Sequence, residues 1–236
     1  MSLTSSQPTV GAAHPLDNPA WSSLTGPHRR FAEINGRAAR YRPEFSPFAV
    51  LDSDPDEGAW ADLATLIGPG SVTALAGVTA LPPGGWEIVG RGEGVQLIDS
   101  GIDAVPDPEA IVLGADDVPE MLDLVARTKP GPFQTHTYQL GTYLGIRRNG
   151  ALVAMAGERL HPPGYTEISA VCTDPAVRGQ GLAGRLVRAV AAGIRARGEV
   201  PFLHAAAENT HAISLYYTLG FTLRLTTIFA AYRSPA

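Results

Sequence analysis

Residues 176–187 read AVRGQGLAGRLV and place glycines at 179, 181 and 184, the spacing G-x-G-x-x-G. Glycines at these intervals let the main chain approach an anion closely, and a helix opening just after them points free N–H groups at it. Two bound phosphates fit that chemistry, a dinucleotide and the pyrophosphate of coenzyme A. Cys172 lies just upstream and is the chain's one cysteine. As an acyl-cysteine nucleophile it would need a neighbour that lowers its pKa, whereas a small buried strand residue is the commoner use of the side chain. His204 sits in an apolar run and reads as a hydrogen-bonded core histidine. His136, His161 and His211 have no metal-site spacing, so no metal is expected.

The elements that must position these residues are most legible in the second half. Residues 116–128 carry Pro119 early and an apolar face of Met121, Leu122, Leu124 and Val125, the pattern of a helix. Asn149–Gly150 between two β-like runs predicts a tight hairpin. A third strand follows over 165–173. The glycine loop then opens a helix with Leu182, Leu186, Val190 and Ile194 recurring every four residues. Residues 201–207 read as a strand, 209–221 as a short helix ended by Gly220, and 222–233 as a closing strand. In the first half, 46–53 and 71–78 read as strands and 56–67 as a helix. Residues 85–101, rich in glycine, read as a strand pair. The acidic run DSDPDEG at 52–58 lacks the glycine and glutamate positions of a calcium loop and reads as a turn feeding a helix N-terminus.

Composition bounds the class. The chain has 236 residues, 44% of them apolar, enough for a large core. Its net charge of −5 argues against nucleic acid or an anionic membrane as partner. No basic n-region with an apolar run opens the chain, and no segment is long and apolar enough to span a bilayer. One cysteine allows no internal disulfide, which fits a reducing cytoplasm. Residues 1–20 read as a flexible arm, 103–110 with two prolines as a linker, and the division expected is 21–107 and 108–236.

A dinucleotide site would explain the strand before the glycines, the helix after them and the acidic Glu208 at the end of the next strand. Against it, residues 174–177 separate strand from glycines, Arg178 stands directly before them, and the strand ends an antiparallel series. The segments YTEISAVCTDPAVRGQGLAGRLVRAV and ENTHAISLYYTLGF resemble the GNAT superfamily of acyl-CoA N-acyltransferases over about residues 110–236. Arg178, Gly181 and Ala183 match its loop pattern. Asn209, Tyr216 and Gly220–Phe221 match the spacing of the helix that follows.

The resemblance implies a mixed α/β fold of GNAT type with a smaller α/β unit before it. It implies acetyl-CoA as co-substrate and direct acyl transfer to a primary amine, from a small molecule or a peptide. The pantetheine arm falls to Val171, Cys172 and Thr173. The pyrophosphate falls to the loop of Arg178, Gly179, Gln180, Gly181, Leu182, Ala183 and Gly184, with Asn209 nearby. Arg185 either adds charge or is a solvated helix flank. Tyr216 takes the general-acid position, while Tyr217 points elsewhere. Period-two alternation puts Glu167, Ser169 and Val171 on one face, making Glu167 the first candidate base. A paired Glu167, with an ordered water or Glu158 in its place, is the alternative. An acyl-CoA-binding regulatory module and an NAD-linked oxidoreductase are the other readings of the whole chain. A homodimer is possible.

Overall fold

The computed structural model describes residues 14–76 and 82–236. Its elements in chain order are α1 (Pro19–Thr25), β1 (Ala32–Asn35), β2 (Ala38–Tyr41), β3 (Ala49–Leu51), α2 (Glu57–Ile67), β4 (Val72–Ala76), β5 (Glu87–Asp99), β6 (Ile111–Val112), α3 (Val118–Thr128), β7 (Tyr143–Arg148), β8 (Ala151–Glu158), β9 (Tyr165–Thr173), α4 (Leu182–Ala196), β10 (Val200–Ala206), α5 (Thr210–Leu219) and β11 (Phe221–Arg233). Eight strands form one mixed sheet in the order β4-β11-β5-β10-β9-β8-β7-β6, and β1-β2-β3 form a small second sheet.

Alternation along the strands decides what covers each face. In β10, Leu203 packs with the helices α4 and α5, while Phe202 packs with the N-terminal layer. In β5 the same split separates Leu97 from Ile98. The repeat read in α4 is real, because Leu182, Leu186, Val190 and Ile194 are all buried against the sheet. Each such side chain contributes roughly 1.5–3 kcal/mol by leaving water. On the opposite face, α3 buries Met121 and Leu124 against Met155, Ala170 and Cys172. The hairpin expected at Asn149–Gly150 forms with both residues at positive φ, 52° and 84°, and Arg148 paired with Ala151.

Three expectations are corrected. The glycine-rich run at 85–101 is one thirteen-residue strand rather than a pair. Its glycines are not turns: a Cβ on Gly94 would come within 2.1 Å of the Phe229 ring, so glycine there admits a cross-strand aromatic. The boundary near residue 107 does not separate two domains, because β4 and β5 flank β11 inside the main sheet. The separate N-terminal layer is the smaller piece up to α2. In the expected arm, residues 1–13 lie outside the described residues, while residues 14–20 are packed. Leu16 is fully buried, its carbonyl accepts from Gln96 Nε2 at 3.0 Å, and Asp17 pairs with Arg224. The expected strand at 71–78 runs from Val72 to Ala76; residues 77 and 78 lie outside the described residues.

Candidate active site at a strand fork

β9 and β10 pair in parallel from Tyr165–Val200 only as far as Ile168–Leu203. Beyond that point β9 continues to Thr173 and β10 to Ala206 without pairing, so the sheet opens into a fork. The cause is local. Against β8, Met155 opposes Cys172 but Gly157 opposes Ser169, which leaves one extra residue in β9. Ala170 sits in that bulge at φ 51°, a left-handed conformation that costs a non-glycine residue about 1–2 kcal/mol. The bulge also reverses the alternation. Val171 packs in the same cluster as Ile168, under α4 and α5, while Ala170 and Cys172 face α3. Glu167 and Val171 are therefore not on one face, as plain period-two counting expects.

The glycine loop closes the mouth of the fork. Gly179 and Gly181 have φ of 81° and 74°, and a Cβ at either would meet nothing within 4 Å, so these glycines serve conformation beside open space. Gly181 is the N-cap of α4 and no side chain caps the helix. The first-turn N–H groups, Leu182, Ala183 and Gly184 among them, thus lack intrahelical partners and carry the positive end of the helix dipole. Gly184 has a different role, since a Cβ there would touch Leu215 and Leu219 at 3.7 Å where α5 crosses α4. Arg178 is exposed, and its Nε donates to the Thr173 carbonyl at 3.3 Å. Gln180 is exposed beside it. Arg185 is not available to an anion: it forks onto Asp107 at 2.6 and 2.7 Å and also pairs with Glu109.

An acyl-CoA fits these groups. On the side facing β10, Val171, Cys172 and Thr173 have no strand partner, which leaves room for an extended arm, and the Thr173 hydroxyl is buried with no hydrogen-bond partner among the described residues. An orphaned buried hydroxyl is uncommon in a complete structure and expected where a ligand belongs. Asn209 caps α5, its Oδ1 accepting from Ala212 N–H at 3.2 Å, so its side-chain oxygen is already engaged.

Tyr216 and Val171 belong to one core cluster, which brings the expected acid to the fork. The Tyr216 ring stands edge-on to Phe221, and its hydroxyl makes no hydrogen bond among the described residues. Unlike the Tyr143 hydroxyl, it is not sealed from solvent. Burial pushes its pKa up to about 12, keeping the phenol protonated as a donor. Tyr217 is exposed, as expected. Cys172 is buried and its thiol is pushed up to about 11 by burial, which leaves no thiolate for covalent chemistry.

Glu167 differs most from its expected role. It is completely buried and accepts two hydrogen bonds from Arg159 at 2.7 and 2.8 Å and one from His204 at 2.7 Å. Burial opposes its ionisation, but the Arg159 charge and the three hydrogen bonds prevail and hold it down at about 2. A carboxylate so committed does not collect a proton near neutrality. Glu158 is engaged as well, accepting from Thr142 N–H at 3.1 Å and pairing with Arg197 at 3.0 Å. The network continues past His204. Arg224 donates to Gln96 Oε1, so the Gln96 amide donates to the Leu16 carbonyl and to His204 Nε2, at 3.0 and 3.1 Å. That order puts the His204 proton on Nδ1, aimed at Glu167. Sequence reasoning missed Arg159, although Arg159 and Glu167 face each other across the turn at Pro162–Gly164. It also missed Gln96 and Arg224, which arrive from distant strands with no local signal.

Proteins of known structure share this fold. A GNAT-family protein from Novosphingobium aromaticivorans, of known crystal structure, is 40% identical, with a TM-score of 0.86 over 95% of this chain and all of that one. The chain belongs to the GNAT family of acetyltransferases. The model for FR47-like proteins matches residues 143–230, from β7 through the fork, the glycine loop and most of β11. The N-alpha-acetyltransferase RimI of Mycobacterium tuberculosis is 39% identical over 82 residues, 34% of this chain and 51% of that protein. The chain thus spans about half the length of that curated relative. A GCN5-related N-acetyltransferase from Kribbella flavida shares the fold, with a TM-score of 0.59 at 19% identity over 92% of this chain and 94% of that one. Among the described residues of this GNAT chain, no helix is long and apolar enough to cross a membrane.

Proposed function

We propose that the protein transfers an acetyl group from acetyl-CoA to a primary amine by direct attack within a ternary complex. The observation that carries the proposal is the fork: the edge of Val171–Thr173 that leaves β10 is followed, after the turn at 174–178, by two left-handed glycines and a helix start with no side-chain cap. Acetyl-CoA, when bound, supplies an acyl group already activated as a thioester. The chain's residues do the rest. Gly179, Gln180, Gly181 and the first turn of α4 bind the pyrophosphate through main-chain N–H groups, with Arg178 adding charge from the loop. The backbone N–H near Val171 donates a hydrogen bond to the carbonyl oxygen as negative charge develops there. Tyr216 gives its phenolic proton to the departing thiolate. With Glu167 and Glu158 both held by internal partners, the proton that the amine nitrogen loses leaves through water, and water returns a proton to the Tyr216 phenolate. A single buried cysteine with no partner fits a reducing compartment such as the cytoplasm.

The experiment is thiol release from acetyl-CoA in the presence of amines, read beside the same assay without amine. Amine-dependent release, with acetylated amine identified by mass, supports the reading. Tight acetyl-CoA binding with no amine-dependent release across a broad panel would instead favour a binding module.

A further inference from the structure

The face of the sheet opposite α4 and α5 carries a shallow cleft that encloses about 50 Å³ and otherwise opens to solvent. His204 lines it, and His204 is the first residue of β10 beyond the last pair with β9, so the cleft begins where the fork opens. Most of its exposed wall is apolar, with Phe48 ahead of β3, Leu160 after β8, and Leu225 and Phe229 along β11, while Asn18 and Thr227 add uncharged polar groups. Phe229 stands edge-on to His204 with ring centroids 5.9 Å apart, and Gly94 makes room for it.

The charged groups of the cleft are balanced against one another. Arg159 lies over the Phe48 ring at 5.0 Å but spends its fork on Glu167. Asp17 is paired with Arg224, whose other donors go to Leu16 and Gln96. A polycation entering the cleft meets no free carboxylate, and an acidic acceptor meets no free guanidinium. Either would leave its extra charge uncompensated in a largely apolar site.

From this we infer that the cleft is the acceptor site and that the acceptor is a primary amine carried on an uncharged apolar group that lies along these walls. The inference rests on the acyltransferase reading and narrows it. The test measures thiol release from acetyl-CoA with 2-phenylethylamine, spermidine and glutamate on the full chain. The kcat/KM for 2-phenylethylamine exceeds that of the other two by about ten-fold or more, the discrimination an apolar pocket supplies. Phe229→Ala, and the milder Phe229→Leu should the first fail to fold, raise the amine KM several-fold while the KM for acetyl-CoA stays put. Comparable or better turnover of spermidine or glutamate overturns the inference while leaving the acyltransferase reading intact. An unchanged amine KM in a folded Phe229 variant overturns it in the same way, as does turnover of none of the three by protein that binds acetyl-CoA. Absence of any acetyl-CoA binding overturns both.

Discussion

Replacing Glu167 by Gln separates a structural carboxylate from a catalytic one. The substitution keeps the side chain's shape and removes the charge that compensates the buried Arg159 guanidinium. Glu167 ionises at about 2 in the fold against 4.5 ordinarily, so at neutral pH the fold is more stable with Glu167 ionised than with it protonated by about 3 kcal/mol. Breaking one partner of a buried pair costs about 3–5 kcal/mol by independent mutational experience. For a chain of this size, about 3 kcal/mol lowers Tm by roughly 6–12 °C. The assay is thermal unfolding followed by circular dichroism, with steady-state kinetics well below the new Tm. The expected results are the loss in Tm, a partial recovery in Arg159→Met combined with Glu167→Gln, and an acidic limb of the kcat/KM profile at its wild-type position. An unchanged Tm together with loss of the acidic limb would refute the reasoning and return Glu167 to the role of base.

Other consequences are as direct. Tyr216→Phe lowers kcat by about two orders of magnitude, the low end for losing a positioned acid, with KM for acetyl-CoA and Tm little changed; initial rates check this. Gly181→Ala forces a side chain into φ 74° at a cost of about 1–2 kcal/mol and puts a methyl group into the open space assigned to the anion, so calorimetry shows acetyl-CoA binding weakened by at least about ten-fold. His28 is buried, with its ring nitrogens on Tyr41 Oη at 2.9 Å and the Leu140 carbonyl at 3.1 Å; burial lowers its pKa from 6.5 to about 3. Between those values the unfolded chain binds a proton that the fold refuses, so stability falls as pH drops from 6.5 toward 3, by at most about 1.4 kcal/mol per pH unit. Glu167 adds its own loss as pH falls below 4.5 toward 2. Urea melts of His28→Gln show a shallower decline between pH 6.5 and 4.5 than wild type.

Local signals carried much of this fold. The apolar period of α4, the Asn149–Gly150 turn and the Gly220 stop each depend on neighbours within a few residues, and each element stands where its pattern places it. The hairpin of β1 and β2 had the same kind of signal in Asn35–Gly36, with Gly36 at φ 50°, and was still missed. What the sequence hid is non-local. β5 looks broken because its glycines resemble turns, and only Phe229, brought alongside by β11, shows why Gly94 must lack a side chain. The bulge that opens the fork turns on an alanine at positive φ, a residue type with no preference for that conformation. Without the bulge, counting in twos sets Glu167 on the same face as Val171. With it, Glu167 turns to the other face and into the grip of Arg159 and His204.

Assignment of the fork to an acyl-CoA is best tested by calorimetric titration of the purified protein with acetyl-CoA, CoA and NADH in parallel. Saturable binding of both CoA species, weakened in Gly181→Ala and absent for NADH, is the predicted result. Binding of NADH without CoA, or CoA binding that Gly181→Ala leaves untouched, would contradict the assignment of the fork and its glycine loop.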